Sequence, residues 1–440
     1  MRGSSNEEGI PINRVKPPLF VGTNKTDITP NGPIHLIPTA PAPRSSIGVT
    51  RRLFARIAVF RQAGRNAVFV SADSLFIPHN VIEGLKSRIA ETWGIDGSAV
   101  FVQATHTHSA PFPEAGYYAA VYDSSLDAEY DAYFRRVEDA VFAGVGAALA
   151  GLEPVTVWRG AGRCEFSSYR RKEAGGRWVM APDDAGPKDP ALTVVRFGRE
   201  DGSDKALFVH FACHPTVTYD DLISPDYPGT AMEQLEETAG VVALFLQGCS
   251  GDVRPGLIRD GKYYYGSDED VCRLAGELAD ETRAVLARPM RELATTGIHV
   301  RRLEVELPFG EVPTVAELEA WCDDPGLLGA RSRKLLAFPQ FLKPQETLRF
   351  GCLSLAEGLA LVGMSGEMVA AYGSHAKAAG GEGIVALGLT DGNAGYVPTA
   401  RQLAEGGYEA HDFFYRHGFP SPYDPVVEEK VRAALDAIIG

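Results

Sequence analysis

Short apolar runs alternate along the chain with longer segments that have hydrophobic residues at helical spacing. Residues 52–62 and 66–77 predict neighbouring strands, and the second run is apolar almost throughout, as expected for a strand covered on both faces. Residues 79–94 have a helical pattern and end at Gly94, a residue type favoured just after a helix. The pattern therefore predicts an alternating α/β order from about residue 19 onward.

The same reading extends to the rest of the chain. Further strands are predicted at 99–104, 191–197, 205–213, 241–248, 346–355, 359–366 and 383–389, and further helices at 124–149, 229–239, 268–288, 314–323, 367–379 and 425–438. No internal repeat or low-complexity linker divides the sequence. We expect a flexible leader at 1–18 and one α/β domain at 19–440, built on a large mixed sheet flanked by helices. The Pro- and Gly-rich piece 309–347 is the candidate excursion or subdomain.

Composition narrows the class of protein. The chain has 440 residues, of which 45% are hydrophobic and 23% charged, as is typical of a soluble globular protein. Its six cysteines are scattered without a CxxC pair, which argues against a disulfide framework and a structural zinc knuckle. We expect a core large enough to be stable without cross-links.

Charge and hydropathy exclude other classes. The net charge is −14 and no basic cluster is long enough to hold a phosphate backbone, so nucleic acid is not an expected partner. No run of about 18 apolar residues predicts a transmembrane segment. The polar, Pro-rich N-terminus lacks the apolar region of a signal peptide, which favours a cytoplasmic location. The oligomeric state stays open.

Polar residues stand where several predicted strands end. They are Asp73, His106, His108, His214, Asp252 and Glu367. In α/β sheets, ligands bind at the carboxyl ends of strands and in the loops that follow them. These ends predict a site rich in histidine and carboxylate if they converge.

The pair in "VFVQATHTHSAPF" is the first candidate. Residues i and i+2 of a strand point to the same side, so His106 and His108 are predicted to share one cavity. Taken alone, a His-x-His pair is more often satisfied by hydrogen bonds in a loop. His214, held extended before Pro215, has about even odds of a purely structural role.

Three other features of the sequence each have a structural interpretation and a catalytic one. Glu367 is favoured at a helix N-terminus by the helix dipole, and it also suits a zinc site with two histidines. Tyr396 on a Gly-rich loop is usually a packing residue. "LQGCSGDVRPG" lacks the GxSxG spacing of a nucleophile elbow, so Ser250 and Cys249 are disfavoured as nucleophiles. A turn that presents backbone N–H groups is the simpler interpretation.

Several motifs, in this order, resemble the catalytic domain of the neutral/alkaline (non-lysosomal) ceramidase family. They are "ATHTHSAP", "HFACHPT" followed by "SPDYPG", "QGCSGDVRP", "LVGMSGE" and "AGYVPTARQLAEGGYE". The last motif places Tyr396 in a Gly-Tyr pair and Tyr408 twelve residues later, where the family pattern has a zinc-ligand tyrosine and a second active-site tyrosine. The resemblance runs from about residue 19 to 440.

The resemblance implies a zinc site and residues around a substrate. The implied ligands of Zn²⁺ are His106, His214, Glu367 and Tyr396. The implied catalytic residues are His108, Tyr408 and Arg170, with His108 facing the substrate and passing a proton to the departing amine. Candidate substrate-binding residues are Arg171, Arg254 and Asp252, and Asp73 is a candidate partner behind the ligands. Either Arg170 or Arg171 matches the substrate-binding arginine of the family.

The chain departs from the family pattern at two points. Arg254 occupies the position of the serine in the "GDVSPN" motif of ceramidases, and the sequence stops without their C-terminal immunoglobulin-like domain. We therefore expect a zinc-dependent hydrolase that cleaves a linear amide bond with metal-activated water, on a small substrate other than ceramide. An inward-facing Arg254 would suit an anionic group on that substrate. The alternatives are an ester or lactone hydrolase with the same residues and a non-catalytic metal- or ligand-binding protein.

Overall fold

Strands and helices alternate through the described chain, which comprises residues 17–37, 44–113 and 127–440 of the computed structural model. Of the expected leader 1–18, only the last two residues lie within these ranges. In chain order the strands are β1 (Leu19–Asp27), β2 (His35–Leu36), β3 (Arg44–Ser45), β4 (Gly48–Val49), β5 (Phe54–Gln62), β6 (Arg65–Ala72), β7 (Val100–Ala104), β8 (Glu153–Arg163), β9 (Ser167–Ala174), β10 (Arg177–Asp183), β11 (Ala191–Gly198), β12 (Asp204–Phe211), β13 (Leu222–Ile223), β14 (Val242–Gln247), β15 (Val253–Pro255), β16 (Ile258–Arg259), β17 (Lys262–Tyr263), β18 (Arg291–Leu293), β19 (His299–Pro308), β20 (Gln345–Ala356), β21 (Leu359–Met364), β22 (Glu367–Met368), β23 (Ile384–Leu387) and β24 (Tyr396–Val397). The helices are α1 (His79–Trp93), α2 (Asp127–Ala150), α3 (Asp226–Ala239), α4 (Asp268–Leu286), α5 (Val315–Trp321), α6 (Leu327–Ala337), α7 (Ala370–Gly380), α8 (Ala400–Glu405), α9 (Phe413–Arg416) and α10 (Val427–Ile439).

The largest sheet has the order β14-β12-β11-β8-β1-β5-β6-β7, and β18 also pairs with β8. The β6–β7 and β12–β14 pairs are parallel, whereas the central pairs are antiparallel. Helix α2 packs on β1 and β5, and α3 packs on β14. The predicted mixed sheet flanked by helices is confirmed.

Aromatic side chains fill the interior of this sheet. The Phe60 ring lies 5.6 Å from Phe197 and 5.9 Å from Phe208, measured between centroids. All three side chains are fully buried. Burying one such side chain stabilises the fold by about 1.5–3 kcal/mol. The apolar runs seen in the sequence are therefore strands covered on both faces.

The two edge strands of the large sheet, β7 and β14, are connected through residues 387–390, which bridge to Gln103 on one side and to Gly248 on the other. The side chain of Gln103 on β7 joins them by donating hydrogen bonds to the carbonyls of Gln247 (2.9 Å) and Gly388 (2.8 Å). Its own carbonyl accepts the Gln247 backbone N–H at 3.2 Å. The Gln103 side-chain amide thus links the two strands, and the loops after β7 and β12 come together.

Smaller sheets complete the site. One has the order β19-β20-β21-β23, and another has the order β10-β9-β15. Strand β22 pairs in parallel with β24. Residues 309–347, the expected excursion, connect the paired strands β19 and β20 and include α5 and α6. Among the described residues, none of the helices is long and apolar enough to cross a membrane.

Candidate metal centre and active site

His106 lies two residues beyond the end of β7 and has a left-handed backbone, with φ of 73°. The prediction that strand alternation brings His106 and His108 together is therefore wrong, because the strand has already ended. A turn does so instead, and the two rings lie 5.0 Å apart at 85°. This conformation costs about 1–3 kcal/mol in a residue other than glycine, a type of strain that clusters at functional sites.

Both buried histidines are held through Nδ1 by a backbone carbonyl. Nδ1 of His106 donates to the Leu75 oxygen at 2.7 Å, and Nδ1 of His214 donates to the Ser250 oxygen at 2.8 Å. A carbonyl only accepts, so each Nδ1 carries a proton, and Nε2 is the ring nitrogen that is left to bind a metal ion. Burial and the nearby Arg170 charge lower the pKa of His214 to about 3, so this ring is neutral at pH 7.

The short β22–β24 pair positions the other two predicted ligands. Glu367 and Tyr396 are direct partners in its register, and therefore their side chains project together. Glu367 Oε2 lies 3.2 Å from His106 Nε2 and 3.5 Å from His214 Nε2. The Glu367 carboxylate is thus buried against the Nε2 atoms of both rings.

The atoms that converge here each carry a lone pair that can bind a metal ion. His106 Nε2 and His214 Nε2 are 3.0 Å apart, and the Tyr396 hydroxyl lies 3.2 Å from His214 Nε2. Two lone pairs and a carboxylate at such distances repel one another unless a cation lies between them. Ligands bound at about 2.0–2.1 Å around a tetrahedral zinc lie about 3.3 Å apart, so the four side chains fit a metal ion.

His108 borders the same space. Its ring lies 5.6 Å from that of His214, and its buried Nε2 has no hydrogen-bond partner among the described residues. Ligand atoms of His106, His108 and His214 all lie within 4.8 Å of one another, which also makes a three-histidine set geometrically suitable for a metal ion. Burial holds the pKa of His108 well below 6.5. Its imidazole is therefore neutral at pH 7 and able to accept a proton.

Arg170 connects the candidate metal centre to a residue that the sequence did not single out. Nη2 of Arg170 donates to the Tyr396 hydroxyl at 2.8 Å, and its Nε donates to Glu409 Oε1 at 2.7 Å. The other Glu409 oxygen accepts from Arg171 at 2.9 Å. Glu409 directly follows Tyr408 in the Gly-Tyr motif, and its position there is the signal that could have identified it.

The two arginines have different surroundings. Arg170 contacts a candidate ligand, whereas the guanidinium of Arg171 is occupied by Glu409, Glu405 and two backbone carbonyls. Tyr408 lies beside Tyr396, with 5.7 Å between ring centroids, at the start of a π-helix. Of the two, Arg170 faces the candidate centre.

Two predicted aspartates lie behind the site. Asp252 accepts hydrogen bonds from the Ala370 N–H and the Gln402 side chain, both at 2.8 Å. Asp73 pairs with Arg56 at 3.0 Å and touches neither histidine ring. Burial raises the pKa of each carboxyl to about 6. Both aspartates hold backbone and side chains that support the centre.

The Gly-rich turn after β14 supports the centre as well. The Ser250 hydroxyl accepts from the Gln247 side chain at 2.7 Å, while the Ser250 carbonyl orients His214. Burial raises the pKa of the Cys249 thiol to about 12, so it has no thiolate at neutral pH. Neither residue resembles an activated nucleophile, in agreement with the sequence interpretation.

The "SPDYPG" motif fixes the loop that follows His214. The Asp226 carboxylate accepts backbone N–H groups of Val217 at 2.9 Å and Tyr227 at 2.6 Å. The Tyr227 hydroxyl donates to the Cys213 carbonyl at 2.6 Å. The motif therefore holds the loop that carries His214 in place.

Comparison with known proteins agrees with this arrangement. The model of the family described as "Neutral/alkaline non-lysosomal ceramidase, N-terminal" matches residues 19–283, more than half of the chain. The chain belongs to this family. The matched range includes both histidine motifs, whereas Glu367, Tyr396 and Tyr408 lie beyond it.

Individual ceramidases extend the comparison. The neutral ceramidase of Pseudomonas aeruginosa is 27% identical over 276 residues, a match that covers 59% of this chain and 40% of that protein. Two solved structures, a ceramidase complexed with C2 and the neutral ceramidase from Pseudomonas aeruginosa, superpose with TM-scores of 0.74 and 0.72 at 21% identity. Each superposition covers 96% of this chain, and they cover 75% and 74% of the other chains. The structural likeness extends the shared fold to almost the whole chain.

Proposed function

We propose that this protein is a metal-dependent hydrolase of a linear amide bond, with Zn²⁺ held by His106, His214, Glu367 and Tyr396. The observation that carries the proposal is the convergence of His106 Nε2, His214 Nε2 and Glu367 Oε2 within 3.0–3.5 Å. Both rings have Nδ1 fixed on a carbonyl, so their lone pairs point inward. Nitrogen and carboxylate donors are those that zinc accepts.

When bound, zinc would polarise a carbonyl and lower the pKa of water from about 15.7 toward 7. The chain's own residues account for the proton transfers. The unpartnered Nε2 of His108 accepts a proton from the attacking water, whose oxygen adds to the acyl carbon. As the C–N bond breaks, the same imidazole returns that proton to the amine nitrogen, so the products are a carboxylic acid and an amine.

Neighbouring residues orient these groups. Arg170 donates to the Tyr396 oxygen and is itself fixed by Glu409, so the phenol cannot rotate away from His214. Tyr408 packs against Tyr396 and is the candidate hydrogen-bond donor to the oxyanion. Removing one such donor costs about 10²–10³ in rate in other hydrolases.

The reaction class is supported by family membership. The curated relative is called a neutral ceramidase, and its name indicates cleavage of an N-acyl bond. The match spans only 40% of that relative's length, and the position of a serine in the ceramidase motif is Arg254 here. We therefore propose an N-acyl substrate that is smaller and more polar than ceramide.

Metal content and a substrate panel test the proposal together. Elemental analysis of the purified protein should find about one equivalent of zinc, and a panel of N-acyl amino acids, N-acyl sphingoid bases, simple amides and esters should show amide turnover. A protein without transition metal would disprove the metal centre. Turnover of esters alone would favour the ester or lactone hydrolase, and bound zinc without any turnover would favour the non-catalytic alternative. Preferred turnover of ceramide would contradict the substrate proposal.

A further inference from the structure

Arg254 is a buried arginine on the face of a small sheet that also carries Arg170. It is 5% exposed and lies on β15, directly opposite Ser168 of β9. Residues i and i+2 of a strand share a face, so Ser168, Arg170 and Arg254 project to the same side. Since Arg170 reaches the Tyr396 hydroxyl, this side of the sheet faces the candidate metal centre.

The guanidinium of Arg254 is covered by apolar groups and rings. Its Nη1 lies 3.9 Å from the Met180 sulfur, and its central carbon lies 4.6 Å from the Tyr263 ring and 5.2 Å from the Tyr265 ring. Its buried Nε and Nη2 have no hydrogen-bond partner among the described residues. These two nitrogens form one edge of the guanidinium fork.

Other arginines of the chain show what this edge binds. Nε and Nη2 of Arg51 donate to the two oxygens of Asp268 at 3.2 and 2.9 Å. The same pair of atoms in Arg56 donates to the two oxygens of Glu236 at 2.7 and 3.4 Å. The edge left open in Arg254 is thus the edge that takes a carboxylate in bidentate fashion.

Packing alone does not account for a charge in this place. A cation–π contact contributes about 0.5–2 kcal/mol, whereas each buried donor without a partner costs about 1–3 kcal/mol. The nearby carboxylate of Asp226 already accepts the backbone N–H groups of Val217 and Tyr227. Burial lowers the pKa of Arg254, in keeping with a cation that lacks a counter-ion.

We propose that Arg254 binds a carboxylate of the substrate through Nε–H and Nη2–H, which makes N-acyl amino acids the substrate class of the proposed hydrolase. This assignment rests on the proposed function, since it assumes an amide held at the neighbouring centre. Two of the residues that contact the Arg254 guanidinium, Met180 and Tyr265, are 42% and 54% exposed. An acyl chain or side chain of the substrate would pack on these apolar surfaces while the carboxylate reaches the fork.

A matched substrate pair tests this. N-octanoylglycine carries the carboxylate, and N-octanoylethanolamine replaces it with a neutral hydroxyl. A charge-assisted hydrogen bond contributes about 1.5–3 kcal/mol, which corresponds to a factor of about 10–150. We expect wild type to prefer the glycine conjugate by about that factor in kcat/KM and R254M to lose the preference. R254K should retain an intermediate preference, because a lysine offers the charge without the fork.

The control variant is R259M, which removes an exposed arginine that stacks on Tyr264 at 4.6 Å in the same region. It should keep the wild-type ratio, and thermal unfolding of each variant verifies its fold. Equal turnover of both substrates by wild type, or an unchanged ratio in R254M, would overturn the assignment.

A binding measurement separates this assignment from the proposed function. If neither compound is hydrolysed, the hydrolase proposal fails, yet titration calorimetry of N-octanoylglycine still tests Arg254. Wild type should bind it at least about tenfold more tightly than R254M, as expected for one charge-assisted contact. Equal affinity of the two proteins, or no binding to either, would refute the carboxylate site.

Discussion

Two buried polar clusters of this protein have opposite electrostatic character. In one, Arg56 donates to Asp73 at 3.0 Å and to Glu236 at 2.7 Å, so a cation lies between two carboxylates. In the other, His106 and His214 direct lone pairs at each other and at Glu367. In the first cluster a side-chain cation pairs with the carboxylates, whereas the second is the cluster for which we propose a bound metal ion.

The difference teaches how a binding site can be recognised without its ligand. Burial is similar in the two clusters, since Arg56, Asp73, His106 and His214 are all at most 2% exposed. What separates them is the donor balance, because carbonyl partners have fixed the Nδ1 protons of both rings. The donor balance distinguishes the cluster that we propose to hold a metal ion from the cluster that belongs to the scaffold.

Removal of a histidine from the acceptor cluster should have the largest effect. His214→Ala or His106→Ala should lose bound metal and about 10⁴-fold or more in kcat/KM, because several kcal/mol of charge stabilisation disappear. Metal analysis and a rate assay on the same preparation check this, with the exposed His299→Ala as control. Retention of stoichiometric metal by both variants would show that the acceptors are not ligands.

The role of His108 is the next largest test. His108→Ala should retain metal and lose about 10²–10⁴ in kcat, as expected for loss of a group that transfers a proton. The Nδ1 atoms of the two proposed ligands donate to backbone carbonyls. His108 differs from them in that its buried Nε2 has no hydrogen-bond partner among the described residues. Loss of metal from this variant would instead establish the three-histidine set as the ligands.

The balanced cluster should respond through stability and not through metal content. Arg56→Met leaves two carboxylates without their cation and should lower the free energy of unfolding by about 3–5 kcal/mol near neutral pH. Arg51→Met is the matched control, because its side chain is 29% exposed and forms the same fork at the surface. That control should lose only about 0–1 kcal/mol.

The loss in Arg56→Met should depend on pH. Burial raises the pKa of Asp73 from 3.8 to about 6, although the charge of Arg56 lowers it. Removal of Arg56 should therefore raise this pKa further. A carboxyl whose pKa is higher in the folded than in the unfolded protein contributes fully to stability below the unfolded pKa of 3.8. That contribution is lost as the pH rises through the folded-state pKa. Chemical denaturation should therefore show a larger deficit at pH 8 than at pH 5. A deficit that is equal at both values would mean that removal of Arg56 leaves the pKa of Asp73 unchanged.

The sequence predicted the strands and helices well for physical reasons that can be named. Apolar runs such as residues 205–213 have to be covered, so they identify strands without knowledge of their partners. Helix α1 ends at Trp93, and Gly94 follows with φ of 65°, as its residue type indicated. The order of the motifs placed His106, His214, Glu367 and Tyr396 in one site before any distance was known.

Other features depend on contacts that no local pattern contains. The left-handed turn at His106 is set by tertiary hydrogen bonds and not by the residue type. Glu409 is 239 positions from Arg170 in sequence, so the residues next to either one do not predict that the two side chains form an ion pair. The open fork of Arg254 could be recognised only after its neighbours Met180 and Tyr263 were in place.

Gln103 is the residue through which the fold brings the two histidines together. Gln103→Met keeps the volume but removes the hydrogen bonds to the Gln247 and Gly388 carbonyls and leaves the Gln247 N–H without its acceptor, at a cost of about 2–3 kcal/mol in unfolding free energy. Gln62→Met is the matched control, since that buried glutamine donates one hydrogen bond, to Pro17, far from the sheet edges, and should cost about 1 kcal/mol. Because the Gln103 bridge closes β7 on β14, metal affinity should fall in Gln103→Met and stay unchanged in Gln62→Met. Equal metal affinities in the two variants would mean that other contacts, such as the Ser71 hydroxyl on the Phe245 carbonyl at 2.6 Å, are sufficient to close the sheet.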